Sequence, residues 1–345
     1  MQVATLKFAS FSGSIMGASR MTIMLAIATL FCMTSLLAIL FRQYRESNHY
    51  MGWRLHQAPH SSYVDLETPV CSKCRNLVSG DLWEKSRRRY AHLRDDKFTL
   101  VVQTYKRPYN LNKTLNIILG ERVPALHEVV VVWNDVNATA PEDFISVYNV
   151  PVRFRVSPHN SLNMKLWADP EYHTQAVLLS DDDCHYEPSD LDFVFSHWRY
   201  RAKDRIVGAF PRCVNTNADG QYEYDFCGNH DRYSMILTGL AFAHVSFLDY
   251  FSSEDPLMTK IRALIDKRFN CEDIALNFMV SMLTCNSPLQ VSGLEDPVNE
   301  GPKDGISTKP GHLTKRNECI NDFYKLIGYM PLQDSTYYVR QGSLE

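Results

Sequence analysis

Three consecutive carboxylates, Asp181, Asp182 and Asp183, follow the apolar run Ala176-Val-Leu-Leu-Ser180 without a break. Like charges that close raise one another's pKa and resist joint ionisation, so the cluster is unfavourable unless a cation sits among them. Hard divalent ions such as Mn²⁺ or Mg²⁺ prefer carboxylate oxygens and keep substrate phosphates as further ligands. The triplet therefore suggests a site for a metal and a diphosphate, and the plain alternative is a solvated acidic loop. A fourth candidate, Asp273, stands in Asn270-Cys-Glu-Asp273 just ahead of the apolar run Ile274–Val280. Carboxylates in a first helical turn are favoured by the macrodipole without any catalytic role.

These residues need a frame. Strand-like apolar runs recur at 98–102, 127–133, 152–156, 176–179 and 205–208, and Leu111, Leu115, Ile118 and Leu119 have helical spacing between the first two. Strand, helix and a near-continuous apolar strand argue for an α/β fold with a buried, mainly parallel sheet flanked by helices. Ligands of such sheets bind beyond the carboxyl ends of the strands. Gln103-Thr-Tyr-Lys-Arg107, Asn134-Asp135 and the aspartate triplet all fall there, so three strands deliver polar groups to one edge. The segment Asp231–Gly239 reads as a further strand and turn lining the pocket.

The composition, 45% apolar and 22% charged over 345 residues, is that of a globular protein, and a net charge of −3 argues against nucleic acid as a partner. From Met21 to Phe41 run 21 residues without a charge, enough for one membrane-spanning helix and read as an uncleaved signal anchor. The predicted organisation is a cytosolic tail over 1–20, the anchor over 21–41, a stem over 42–96 and a catalytic domain over 97–342. Sequons at Asn112 and Asn137 and several cysteines point to a lumenal domain, although the flanking charges do not favour a cytosolic N-terminus. Cys213 and Cys227 bracket the polar excursion NTNADGQ, which reads as a hairpin with a disulfide at its base.

QTYKR, VVVVWND, PHNSLNMKL, LLSDDDC, DRYSMILTG, NCEDIALNF and PGHLTKRNECIN occur in an order and spacing that resembles the exostosin-like glycosyltransferase domain, in its short single-domain form. The resemblance implies a GT-A fold, a Mn²⁺-dependent nucleotide-diphosphate-sugar donor and transfer with retention of α configuration. It places Gln103, Arg107 and Asn134 on the nucleotide and Asn160 and Lys165 toward the diphosphate. Asp181 and Asp182 would contact the ribose or the metal shell, and Asp183 would bind the metal directly. Asp273 would stand at the reaction centre, Arg316 near the donor phosphates, and Cys271 would pair with Cys319. Met164-Lys165 replaces the family's usual Asn-Arg, and lysine lacks the bidentate fork of arginine. The segment 300–310 also departs from the animal single-domain members.

The resemblance further implies a single-pass type II protein of the Golgi or endoplasmic reticulum membrane acting on a glycan or glycolipid acceptor. A UDP-linked N-acetylhexosamine is the favoured donor, and GDP-mannose acting on sphingolipid head groups is the alternative. A homodimer is left open. From other classes, a non-catalytic lumenal scaffold would be marked by erosion of the metal aspartates or of Asp273, all of which are present. A tethered lectin binding Ca²⁺ through the triplet fits poorly with alternating strands and helices.

Overall fold

The computed structural model describes residues 77–228, 231–301 and 305–342. The anchor predicted over 21–41 lies outside the described residues, and no helix among the described residues is long and apolar enough to cross a membrane. Helix α1, Gly80–Arg89, starts at Ser79, whose side chain accepts from the Leu82 N–H, and it carries Asp81 in its first turn and Arg87, Arg88 and Arg89 in its last. Both ends thus complement the helix dipole. It falls inside the span 42–96 assigned above to a stem. Trp83 is buried and stacks on Phe247 with ring centroids 5.3 Å apart. Ser86, Arg89 and Tyr90 all donate to the Asp249 carboxylate. The packed body therefore begins before Lys97, through the buried Trp83, Ser86 and Tyr90.

The sheet is then laid down by β1 (Arg94–Thr104), helix α2 (Pro108–Leu119), β2 (Leu126–Trp133), a short edge strand β3 (Phe144–Ile145) and β4 (Pro151–Val156). A 3-10 turn over Leu162–Leu166 leads to β5 (Thr174–Asp181), β6 (Cys184–His185) and α3 (Pro188–Arg201). After β7 (Val207–Gly208) the chain makes the hairpin β8 (Pro211–Thr216) and β9 (Tyr222–Asp225), then β10 (Met235–Ile236) and β11 (Leu240–His244). Three helices follow, α4 (Val245–Ser252), α5 (Pro256–Arg268) and α6 (Glu272–Thr284). Strands β12 (Leu289–Ser292) and β13 (Val298–Asn299), helix α7 (His312–Ile327) and β14 (Tyr338–Arg340) complete the order.

Nine strands form one sheet in the order β14-β12-β7-β11-β5-β1-β2-β4-β3. The pairs β1 with β2, β1 with β5, and β2 with β4 are parallel. Strand β11 runs antiparallel to both of its neighbours, β5 and β7. This mixed, mainly parallel sheet between helices is consistent with a GT-A fold. Alternate residues of the apolar strands supply two cores. Val101, Val130, Val132, Val177 and Leu179 pack toward α1 and α4–α7, while Leu100, Val102, Val129, Val131 and Leu178 pack toward α2 and α3. Burial on both faces explains why these strands read as continuous apolar runs.

A smaller sheet, in the order β10-β8-β9, stands outside the main one. Cys213 and Cys227 are disulfide-bonded at the base of the β8–β9 hairpin, as the bracketing cysteines suggested. The segment 231–239 contributes only the two-residue β10 to it. A second disulfide joins Cys271, ahead of α6, to Cys319 in α7.

Candidate active site

The carboxyl ends of β1, β2 and β5 meet at one edge of the sheet, with Gln103 beside Asp181 in the β1–β5 register. Beyond them opens a cleft of ≈590 Å³. Gln103, Arg107, Asn134, Asn160, Asp181, Asp183, Asp273 and Arg316 all line it, so residues scattered over more than two hundred positions are brought together. Lys165 and Asp182 do not reach the cleft surface and lie beneath it.

The amides are positioned first. Gln103 and Asn134 each donate through the side-chain NH₂ to the Ser161 carbonyl at 2.8 Å. Ser157 in turn donates to Asn134 Oδ1 at 2.5 Å. Both amides thus fix the loop that carries Asn160 into the cleft.

The acidic floor is a layered cluster. Asp182 is fully buried and accepts from Thr104 Oγ1 at 2.6 Å, while its backbone carbonyl accepts from Thr114 Oγ1 at 2.8 Å. Burial pushes its carboxyl up to about 7, with Arg107 and Thr104 opposing. Arg107, at the start of α2, pairs with Asp182 at 2.8 Å and with Asp183 at 3.2 Å. Asp182 thus orients Arg107 from below. Asp183 is raised above the ordinary carboxylate value by burial and then by the neighbouring Asp181.

Ligand atoms of Asp181, Asp183 and Cys184 lie within 4.8 Å of one another. The Cys184 thiol is held protonated, its pKa raised by burial and by the two aspartates. Two carboxylates converging this closely at the cleft floor are a hard-oxygen donor set that fits a divalent cation such as Mn²⁺ or Mg²⁺, and Asp181 and Asp183 are the residues that would hold it. Space for the carboxylates comes from Gly239, where an added Cβ would stand 2.9 Å from Asp181 Oδ2.

The opposite wall comes from α6 and α7. Asp273 Oδ1 accepts from the Ile274 N–H at 2.7 Å, and Oδ2 accepts from Arg316 at 2.6 Å. Burial works against an ionised Asp273, but the Arg316 guanidinium outweighs it and holds the carboxyl below its usual value. The Cys271–Cys319 disulfide ties the two helices beside this pair. Lys165, buried beneath, pairs with Asp181 at 2.6 Å and Glu272 at 3.7 Å, so its charge is spent on carboxylates between the two walls. Those carboxylates raise its pKa against the effect of burial.

Three contributors were not singled out from the sequence. Glu272, partly buried at the cleft wall, stands between Lys165 and Asp273, and burial followed by the Asp273 charge raises it to about 7. Arg212 and Tyr224 reach the cleft from the β8–β9 hairpin, where Tyr224 lies under the Arg316 guanidinium at 4.2 Å. The bracketing cysteines announced the hairpin but not where it folds. That is set by Asn317 and Asn321 of α7, which accept from the backbone N–H groups of Tyr224 and Tyr222.

Comparison with known proteins gives the family. The profile of the Glycosyl transferase family 64 domain matches residues 98–343. The chain is 34% identical over 262 residues to human (Homo sapiens) "Exostosin-like 2", covering 71% of this chain and 77% of that protein. It is 33% identical over 244 residues to "Exostosin-2" of Bos taurus, covering 68% of this chain and 33% of that protein. It is also 33% identical over 240 residues to "Glucosamine inositolphosphorylceramide transferase 1" of Arabidopsis thaliana, covering 67% of this chain and 30% of that protein. The chain therefore belongs to glycosyltransferase family 64.

Proposed function

We propose that this protein is a metal-dependent, α-retaining glycosyltransferase that takes a sugar from a nucleotide-diphosphate donor, with UDP-N-acetylhexosamine favoured, and passes it to a glycan or glycolipid in the secretory pathway. The observation that carries the reading is the meeting of Asp181, Asp183 and Arg107 with the buried Asp273–Arg316 pair in one cleft of a family 64 chain. A bound Mn²⁺ or Mg²⁺ would neutralise charge growing on the departing diphosphate. Arg107, at the cleft edge, supplies fixed positive charge to the same end. Asn160 and the loop held by Gln103 and Asn134 would orient the nucleotide.

Asp273 is read here as a charge-stabilising and orienting group for the sugar carbon. Both of its oxygens already accept short hydrogen bonds, which leaves a poorer nucleophile than a free carboxylate. Its depressed pKa keeps it ionised opposite a carbon that becomes positive in the transition state. Retention then follows from same-face attack, with the leaving phosphate taking the acceptor proton.

The acceptor of a second reading has its own support. The plant relative's name joins glucosamine to an inositolphosphorylceramide acceptor, so it favours a transferase acting on sphingolipid head groups, while the GDP-mannose or other hexose donor of that alternative rests on the sequence resemblance alone. Calorimetric titration of UDP and GDP into the protein with and without Mn²⁺ separates these readings. Metal-dependent binding of UDP over GDP supports the first reading, and the reverse preference supports the second. Failure of both nucleotides to bind with metal present would leave a scaffold of the same fold.

A further inference from the structure

Outward from Asp273 the wall of the cleft turns aromatic. Arg316 stacks on Tyr224, and Tyr224 meets Phe226 edge-on with ring centroids 5.8 Å apart. The two are separated by one residue at the end of β9 and share a face of the hairpin. Arg212 lies over the Phe226 ring at 4.9 Å and donates to the Tyr224 hydroxyl at 2.7 Å. Phe226 nevertheless remains 57% exposed, and it lines the cleft.

This exposed ring is not loosely held. Its N–H donates to Asp225 Oδ1 at 2.7 Å, and the next residue, Cys227, is bonded to Cys213. Single exposed aromatics are ordinary on a protein surface. One fixed by a disulfide, a stacked cation and a neighbouring ring, within the cleft that holds the reacting groups, is a prepared contact surface. Aromatic faces carry a negative quadrupole and attract polarised C–H groups, which one face of a sugar or cyclitol ring presents. The donor-side groups Gln103, Arg107, Asn134, Asp181 and Asp183 all come from other elements, at the strand ends.

We propose that Phe226 is the stacking platform for the acceptor: it receives the apolar face of a pyranose or cyclitol ring, and Arg212 and the Cys213–Cys227 disulfide hold it in place. This rests on the proposed transferase function. Phe226 acts by positioning and selecting the acceptor and takes no part in bond breaking.

The test uses the full-length chain in mild detergent with Mn²⁺. Methyl β-galactoside, methyl β-glucuronide and myo-inositol serve as acceptor probes, and nucleotide affinity is measured in the same preparations. Phe226→Ala is expected to raise the acceptor KM about tenfold for at least one probe, the loss appropriate to one aromatic contact. Both kcat and nucleotide affinity should stay within about twofold, the signature of lost acceptor binding alone. Phe226→Trp should restore the KM. An unchanged acceptor KM in Phe226→Ala overturns the assignment, as does a fall in kcat at constant KM. A wild type that binds nucleotide but uses none of the probes also overturns it while leaving the proposed function standing. Absence of nucleotide binding in every form removes the proposed function, and this inference with it.

Discussion

Arg316 donates to Asp273 Oδ2 at 2.6 Å, and the two side chains are only 6% and 8% exposed. Removing one member of such a pair leaves an uncompensated buried charge, which costs about 3–5 kcal/mol. Arg316→Ala is expected to lower stability by that amount in denaturant titration. Turnover should fall by about a hundredfold or more, in line with the loss of an electrostatic stabiliser. Arg316→Lys, which keeps the charge without the fork, should fall between. Full activity in Arg316→Ala would show that the pair serves packing alone.

Gly239 gives a sharper test of the metal floor. A Cβ there would press on Asp181 Oδ2, while Lys165 holds Oδ1 of the same carboxylate. Gly239→Ala should weaken Mn²⁺ affinity about 10–100-fold, the range for displaced supporting groups at metal sites, with thermal stability little changed. Calorimetry with Mn²⁺ and UDP reads this directly. Equal affinity in the two forms would place the metal elsewhere.

The Cys271–Cys319 bridge closes a loop of sequence separation 48 around Asp273. In the chain-entropy model a loop of that length stabilises by about 4 kcal/mol. The Cys271→Ala, Cys319→Ala double variant should therefore unfold at markedly lower denaturant concentration. It should also lose turnover more steeply than nucleotide affinity, because it frees the α6–α7 wall and leaves the strand ends intact. A variant with wild-type turnover would separate the bridge from the site.

Much of this architecture was legible because it rests on local signals. Apolar runs gave β1, β2, β4, β5 and β7, and helical spacing over 110–119 gave α2. Polar residues directly after those strands marked the cleft edge. What stayed hidden depends on contacts between distant segments. Asp182 looks like its neighbours in sequence, and only Thr104, Arg107 and Thr114 closing over it make it a buried anchor. Lys165 looks like a phosphate ligand, yet it is enclosed by Asp181 and Glu272. Helix α1 was hidden by its own charge, since only Leu82, Trp83 and Ser86 of the helix supply uncharged side chains to the packed side.

That helix supports a prediction of its own. Trp83→Ala removes a buried ring stacked on Phe247 and should cost about 3–5 kcal/mol. A chain shortened to begin at Lys97 should be less stable than one beginning at Leu77. Equal melting temperatures would return residues 80–89 to the stem.

Acid sensitivity should trace in part to His244, which burial, reinforced by the charges of Lys203 and Arg87, lowers to about 3. Its Nδ1 caps α4 by accepting from the Ser246 N–H. The folded-state pKa is depressed, so the unfolded chain binds the extra proton between about pH 6.5 and pH 3. The stability this group supports is complete above about 6.5 and drains as pH falls, by about 2 kcal/mol at pH 5. His244→Asn keeps a capping acceptor and does not titrate. Its stability should fall less between pH 7 and pH 5 than that of the wild type, as denaturant titration at the two pH values would reveal. Parallel losses in the two proteins would assign the sensitivity to other groups.

Asp183 and Asp273 are proposed to serve one metal-dependent glycosyl transfer. The most direct measurement is release of nucleoside diphosphate from a panel of UDP- and GDP-sugars with Mn²⁺ and acceptor glycosides, for wild type beside Asp183→Asn and Asp273→Asn. Turnover with one donor is expected, abolished by chelation and by either substitution, with Asp273→Asn still binding nucleotide. Turnover that survives chelation and both substitutions, or none with any donor in a protein that binds no nucleotide, would contradict it.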